Sequence, residues 1–260
     1  MASCLAGAAM TLMALKSGTW LWLVRFFASP AVNVSYVIAT LLMLWSYALA
    51  VFTDAGLPSF ALDHRVRAME DGPDDDAKEE DENGRYCERC DTQKPPHVHH
   101  CSVCRRCVYR MDHHCPWTSN CVGWTNKKFF LLFLVYTSIS CLLFNSIVSP
   151  LVWQPRHALS PAASQIAEQH ETFLQVVWTL SFTVGVVLAG YFVFHLWLLW
   201  SGRTTLQFIT NKTGEFENYP FLFHWRVYFG NNVVMWWLPV APELDSRLRG
   251  RTETQRLIRS

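Results

Sequence analysis

Seven of the nine cysteines and five of the ten histidines fall between Cys87 and Cys121, so that window is where chemistry is sought first. Cys87-x2-Cys90 is a knuckle whose two thiolates can grip one zinc, and His100-Cys101-x2-Cys104-x2-Cys107 supplies a second, overlapping set. Two tetrahedral sites would take eight Cys/His ligands and still leave a histidine, an aspartate and a thiol. The run Asp112-His113-His114-Cys115 closes this part of the window. A thiol with an ordinary pKa near ~8.5 is mostly protonated at neutral pH, and it becomes a competent nucleophile when an adjacent imidazole takes its proton. His113 lies two residues from Cys115, and Asp112 can fix the imidazole tautomer and stabilise the imidazolium. Adjacent side chains on an extended segment face opposite ways, which gives His113 and His114 different tasks, one toward the thiol and one toward a zinc. The competing disulfide framework fits poorly, because paired C-x2-C knuckles among histidines are a metal pattern. Reduced cysteines of this kind point to a reducing compartment.

The elements that must position this window are apolar. Val32 to Phe52 is 21 residues without a charge, Phe129 to Val148 is 20, and Thr172 to Trp200 is 29 with His195 as its one basic side chain. A helix needs roughly 20 such residues to cross a bilayer, and a single span in lipid must be helical to satisfy its own backbone. Three spans follow. The N-terminal stretch is ambiguous: Ala2 to Leu15 is too short alone, and extension to Phe27 encloses Lys16 and Arg25. It is read as a weak first span or as an interfacial helix anchored by Trp20, Trp22 and Phe26. Arg65, Arg67, Lys127 and Lys128 flank the window and the tail carries Arg203, Arg247, Arg249, Arg251, Arg256 and Arg259, whereas the loop from Gln154 to Glu171 holds one arginine. That asymmetry puts the window and the tail in the cytosol.

The expected fold is an α-helical polytopic membrane protein with four spans, or three plus an interfacial helix, carrying a small cytosolic Cys-rich double-zinc module. Its parts are a membrane region over 1–53 with the second span at 32–52, a linker over 54–84, the zinc module over 85–128, spans at 129–149 and 172–200 joined by a short luminal loop, and a cytosolic tail over 201–260. Nine of the 21 acidic residues crowd between Glu70 and Glu82, so the linker repels itself and is expected to be disordered. No internal repeat is expected beyond the overlapping knuckles. No phosphate-cradling glycine loop is present, and nothing points to nucleic acid.

The run Cys87-x2-Cys90-x3-Lys94-Pro95, then His99-His100-Cys101-Ser102-x-Cys104-x2-Cys107-Val108-x-Arg110-Met111-Asp112-His113-His114-Cys115-Pro116-Trp117, then Asn120-Cys121-Val122-Gly123 and Asn126, resembles the DHHC-type protein S-acyltransferases. The resemblance implies three cysteines and one histidine on each of two structural zinc ions: Cys87, Cys90, His100 and Cys107 at one, and Cys101, Cys104, His114 and Cys121 at the other. It implies Cys115 as the acylated nucleophile, His113 as its base and Asp112 as the orienting carboxylate, with Thr204, Thr205, Trp117 and Asn126 in support. Departures from the family pattern are Ala55 in Asp54-Ala55-Gly56, Gln207 in Thr204-Thr205-Leu206-Gln207, His224 before the aromatic Trp225–Gly230 segment, and His97 after Pro96.

The resemblance further implies transfer of a long-chain acyl group, palmitoyl above all, from acyl-CoA through a Cys115 thioester to cysteines of proteins near the membrane. Lys94, His99, Arg110, Lys127 and Lys128 are candidates for the CoA phosphates, although positive flanking of a span explains Lys127 and Lys128 equally well. The expected location is the eukaryotic endomembrane system or plasma membrane. A non-catalytic zinc adaptor needs the metal ligands but not Asp112, His113 and Cys115, and a thiol-disulfide enzyme would find its remaining thiols held by metal.

Overall fold

The computed structural model describes residues 2–56, 86–94, 97–212 and 219–242. The acidic stretch from Glu70 to Glu82 and the last residues of the tail lie outside them. Two compact units emerge, Met1–Ala48 with Phe130–Leu196, and Leu49–Phe129 with Trp197–Ser260.

The first unit is helical. Helix α1 (Ala2–Trp22) is followed by a 3-10 turn at Val24–Phe26, and Pro30, which needs no amide partner at a helix start, opens α2 (Pro30–Phe52). Helix α3 (Lys127–Trp153) carries Pro150 in its last turn. Ser160 caps α4 (Pro161–Gln169) by accepting from the Ala163 amide at 3.3 Å, and Glu171 opens α5 (Glu171–Trp200) where the helix dipole favours an acid. Three helices among the described residues, α2, α3 and α5, are long and apolar enough to cross a membrane. Their limits extend the expected spans by one to four residues at one or both ends.

The N-terminal stretch forms a continuous helix that stops before Arg25. Lys16 is buried, donates to Ser140 Oγ and lies 5.5 Å from the centroid of the Tyr36 ring. Trp20, expected to anchor the helix if it were interfacial, instead stacks on Tyr36 at 3.8 Å in a cluster with Phe144, Val148 and Leu174. Trp22 and Phe26 remain exposed. On the α3–α5 contact, a Cβ at Gly185 would come within 2.8 Å of Cys141 Cβ, so glycine permits the close approach.

The second unit is built on three antiparallel hairpins: β1 (Tyr86–Cys87) with β2 (Thr92–Gln93), β3 (Val98–Cys101) with β4 (Arg106–Tyr109), and β5 (His113–Cys115) with β6 (Asn120–Val122). They are copies of one design. Cys87, Cys101 and Cys115 recur 14 residues apart, as do Cys90, Cys104 and Thr118. Each hairpin turns through a left-handed residue directly after the second knuckle position: Asp91 (φ 50°), Arg105 (φ 54°) and Ser119 (φ 50°). The repeat is therefore more than overlapping knuckles, and its third copy carries threonine where the others carry the second cysteine. This unit also holds α6 (Thr205–Ile209) and α7 (Phe221–Phe229), the latter ended by Gly230 at φ 78°.

Candidate active site and metal centres

Each candidate metal centre joins consecutive hairpins. The first takes Cys87 and Cys90 from the β1–β2 knuckle and the cross-strand pair His100–Cys107 from β3–β4. The second takes Cys101 and Cys104 from the β3–β4 knuckle and the cross-strand pair His114–Cys121 from β5–β6. Ligand atoms in each set lie within 4.8 Å of one another. His100 Nδ1 is 3.4 and 3.2 Å from the Cys87 and Cys90 sulfurs. His114 Nδ1 is 3.7, 3.4 and 3.8 Å from those of Cys101, Cys104 and Cys121. A tetrahedral zinc with Zn–S near ~2.3 Å and Zn–N near ~2.0 Å has ligand-to-ligand edges of roughly 3.5–3.8 Å, so both sets could hold zinc. Burial, then the neighbouring His113, holds His114 below the usual histidine range, which favours the neutral ring a metal needs.

Cys115 belongs to neither set. It occupies the first knuckle position of the third hairpin, where no further hairpin among the described residues supplies a histidine–cysteine pair and Thr118 replaces the second thiol. Strand alternation puts His114 on the metal side and returns His113 and Cys115 to a common face. His113 Nδ1 pairs with Asp112 Oδ2 at 2.8 Å, leaving Nε2 as the nitrogen able to take the Cys115 proton. Burial opposes a charged His113, but hydrogen bonds to Asp112 and Cys115 outweigh it and push the ring up to about 9. Burial raises the Cys115 thiol, and hydrogen bonds from His113 and Thr118 overcome it and leave the thiol below its ordinary value.

Asp112 is buried and fully hydrogen-bonded. Oδ1 accepts from Lys127 Nζ at 2.7 Å and from the Thr205 amide at 3.1 Å, while Oδ2 accepts from the Thr205 hydroxyl at 2.6 Å as well as from His113. Thr204 sets Thr205 in place as the N-cap of α6: its hydroxyl accepts from the Gln207 amide at 3.2 Å, and Gln207 Oε1 accepts from the Thr204 amide at 2.8 Å. Gln207 thus closes a capping box with the acceptor a glutamate would offer. The other departures are accommodated similarly. His224 Nδ1 lies 2.7 Å from the Leu199 carbonyl, and Ala55 is wholly buried against Cys101, Val108 and Cys121. A Cβ at Gly123 would fall 2.9 Å from Val108 Cγ1 and 3.1 Å from the Ala55 carbonyl, which excludes larger residues there.

Asn126 is fully buried, accepting from the Gly123 amide at 2.9 Å and donating to the Cys121 carbonyl at 2.8 Å, so it fixes the turn from β6 into α3. Trp117 is 46% exposed in the turn of the third hairpin. Lys94 and His99 form a cationic group with His97 and Lys212, and burial followed by those charges holds His99 below its usual range. Arg110 and Lys127, expected to face phosphates, are placed otherwise. Arg110 is buried with its guanidinium 5.2 and 5.4 Å from the Trp124 and Tyr228 ring centroids, and Lys127 is committed to Asp112. Lys128 donates to the Met235 and Val240 carbonyls at 2.8 and 2.9 Å.

Two residues to which the sequence gives no role, Thr118 and Asn120, belong to this site. Thr118 is legible only once the 14-residue repeat is seen. Asn120, paired across the strand with Cys115, sends its amide to the Ala50, Val51 and Thr53 carbonyls at 3.1, 3.1 and 2.8 Å and so caps the end of α2.

Residues 80–212 match the family model described as DHHC palmitoyltransferase, just over half of the chain. The chain belongs to the DHHC palmitoyltransferase family. Palmitoyltransferase ZDHHC15 of Rattus norvegicus is 37% identical over 164 residues, 60% of this chain and 47% of that protein. Palmitoyltransferase pfa3 of Aspergillus fumigatus is 38% identical over 168 residues, 62% of this chain and 30% of that protein. Probable protein S-acyltransferase 12 of Arabidopsis thaliana is 35% identical over 218 residues, 79% of this chain and 71% of that protein. The matches span 37%, 47% and 30% of the lengths of ZDHHC15A of Danio rerio, ZDHHC15 and pfa3 respectively, less than half of each. Three long apolar helices and membership of this family make the chain an integral membrane protein.

Proposed function

We propose that the chain is a protein S-acyltransferase that carries a long-chain acyl group, palmitoyl above all, on Cys115. The observation that carries this reading is a buried Asp112–His113 pair aimed at a thiol that stands outside both metal ligand sets. His113 takes the Cys115 proton, and the thiolate attacks the thioester carbonyl of acyl-CoA. The Cys115 sulfur–carbon bond forms, the bond to the CoA sulfur breaks, and the CoA thiolate recovers the proton from His113. A cysteine of a membrane-proximal protein then loses its proton to His113 and attacks the acyl-enzyme, releasing Cys115. Ping-pong kinetics follow from the shared intermediate. An adaptor would not require a nucleophile so oriented.

Two zinc ions, on Cys87, Cys90, His100 and Cys107 and on Cys101, Cys104, His114 and Cys121, have all positions filled by protein and are structural in this reading; they would hold the hairpins that aim Cys115. The CoA phosphates fall to the Lys94, His99 and Lys212 group, with His97 beside it. The apolar helices shelter the acyl chain. Charge asymmetry supports a cytosolic zinc module and tail in an endomembrane or plasma membrane, and helix α1 supports a fourth span.

Purified protein incubated with labelled palmitoyl-CoA tests the reading. Hydroxylamine-labile label on the wild type and none on Cys115→Ser, with zinc content equal, is the expected result. Equal labelling of the two would remove Cys115 as the acyl carrier.

A further inference from the structure

Lys127 has an amine that neither a phosphate nor water reaches: the residue is 0% exposed, and its Nζ sits 2.7 Å from Asp112 Oδ1 and 5.1 Å from the centroid of the Tyr228 ring. A cation placed to attract CoA needs an open face. This one is enclosed by a carboxylate and an aromatic ring, and the helix α3 that bears it starts at Lys127 itself. A fixed helix end gives the amine a short, ordered approach to the catalytic strand.

The two oxygens of Asp112 divide their work. Oδ1 is held by Lys127 and the Thr205 amide, and Oδ2 receives His113 and the Thr205 hydroxyl. Rotation of the carboxylate would take Oδ2 off the His113 ring, and three donors prevent it. Two of those donors come from Thr205, so Lys127 adds an anchor from a different element, and one that brings a cationic side chain to the carboxylate. It is also the counter-charge that makes a buried carboxylate tolerable while His113 is neutral, since an unpaired buried charge is costly.

We infer that Lys127 is a positioning residue for acyl transfer, acting through Asp112 to aim His113 at Cys115, and not a contact for acyl-CoA. The inference rests on the acyltransferase reading above. It requires that loss of Lys127 slow the chemical step, leave acyl-CoA recognition unchanged, and matter only while Asp112 can be aimed.

Single-turnover autoacylation by the full chain, with palmitoyl-CoA varied and zinc counted in each sample, tests this for wild type, Lys127→Met, Asp112→Asn and the double variant. Lys127→Met is expected to lower the saturating rate by up to about a hundredfold, the scale of a misaimed catalytic group. Half-saturation by palmitoyl-CoA and two zinc ions per chain should be retained. In the Asp112→Asn background the same substitution should have little further effect, because coupled residues fail to add. Lys127→Arg should recover part of the rate. A raised half-saturation with an unchanged limiting rate would return Lys127 to CoA binding, and equal losses in both backgrounds would show that it does not act through Asp112. If Lys127→Met sheds zinc, Lys127→Gln takes its place, and zinc loss in both makes Lys127 a residue of the fold and overturns the inference. An unlabelled wild type would instead defeat the acyltransferase reading, so the two failures are distinct.

Discussion

Thr205→Val tests the carboxylate brace most directly. Valine keeps the shape and the backbone amide of Thr205 but removes the hydroxyl that donates to Asp112 Oδ2 at 2.6 Å, so that oxygen retains His113 as its remaining partner among those described above. A hydrogen bond to a charged group contributes about 1.5–3 kcal/mol. If that contribution is expressed in the transition state, acylation slows by roughly tenfold to somewhat over a hundredfold, at about 1.4 kcal/mol for each factor of ten. Single-turnover labelling by palmitoyl-CoA reads the rate, and zinc content reads the integrity of the hairpins, which Thr205 does not touch through either ligand set. Thr205→Ser, which keeps the hydroxyl, should lie close to wild type. A Thr205→Val enzyme with full rate and full zinc would refute the claim that the hydroxyl steadies Asp112, and the His113 geometry would have to be sustained by other means.

Further expectations follow from the same geometry. Thr118→Cys restores the second thiol of the knuckle, so Cys115 should be captured by a disulfide or by metal; autoacylation should vanish, returning with reductant where a disulfide is the cause and accompanied by metal above two ions per chain where it is not. Gln207→Glu should change the rate by less than about twofold, whereas Gln207→Ala opens the capping box and should cost on the order of 0.5–2 kcal/mol of local stability, visible as faster hydrogen exchange at Thr205–Ile209. Iodoacetamide should alkylate Cys115 at pH values below the ordinary thiol range, because its thiol is lowered and the thiolate persists as pH falls; His113→Ala should move the midpoint upward. Cys87→Ser should release one zinc and destabilise the first hairpins, read as metal per chain and thermal midpoint.

The chemistry was legible in the sequence wherever it is carried by spacing. Cys87 to Cys121 announces metal knuckles, and the alternation of a strand separates His113 from His114. The three apolar helices were equally plain, because a bilayer-long run without charge has few other uses. What escaped was set by partners remote in sequence. Lys127 reads equally as a CoA contact and as a flanking charge until Asp112, fifteen residues earlier, is seen to face it. Trp20 reads as part of a weak span or as an interfacial anchor, and only packing against Tyr36 makes it a core residue. Gln207 and His224 read as departures from the family pattern, because a motif records residue types and not the acceptor or donor that another type can supply equally well. Thr118 stayed silent for the opposite reason: its meaning lies in the cysteine it is not.

If each candidate centre holds an ion, fastening each hairpin to the next in this way gives failure a direction. Loosening at Cys87 and Cys90 would free the start of the module while the last strand pair stays bolted through His114 and Cys121. Loosening at Cys101 and Cys104 would release the very strand that bears the nucleophile, one residue away from His114. Injury by chelator or oxidant is therefore graded by position, mild at the head of the series and immediately disabling at its end.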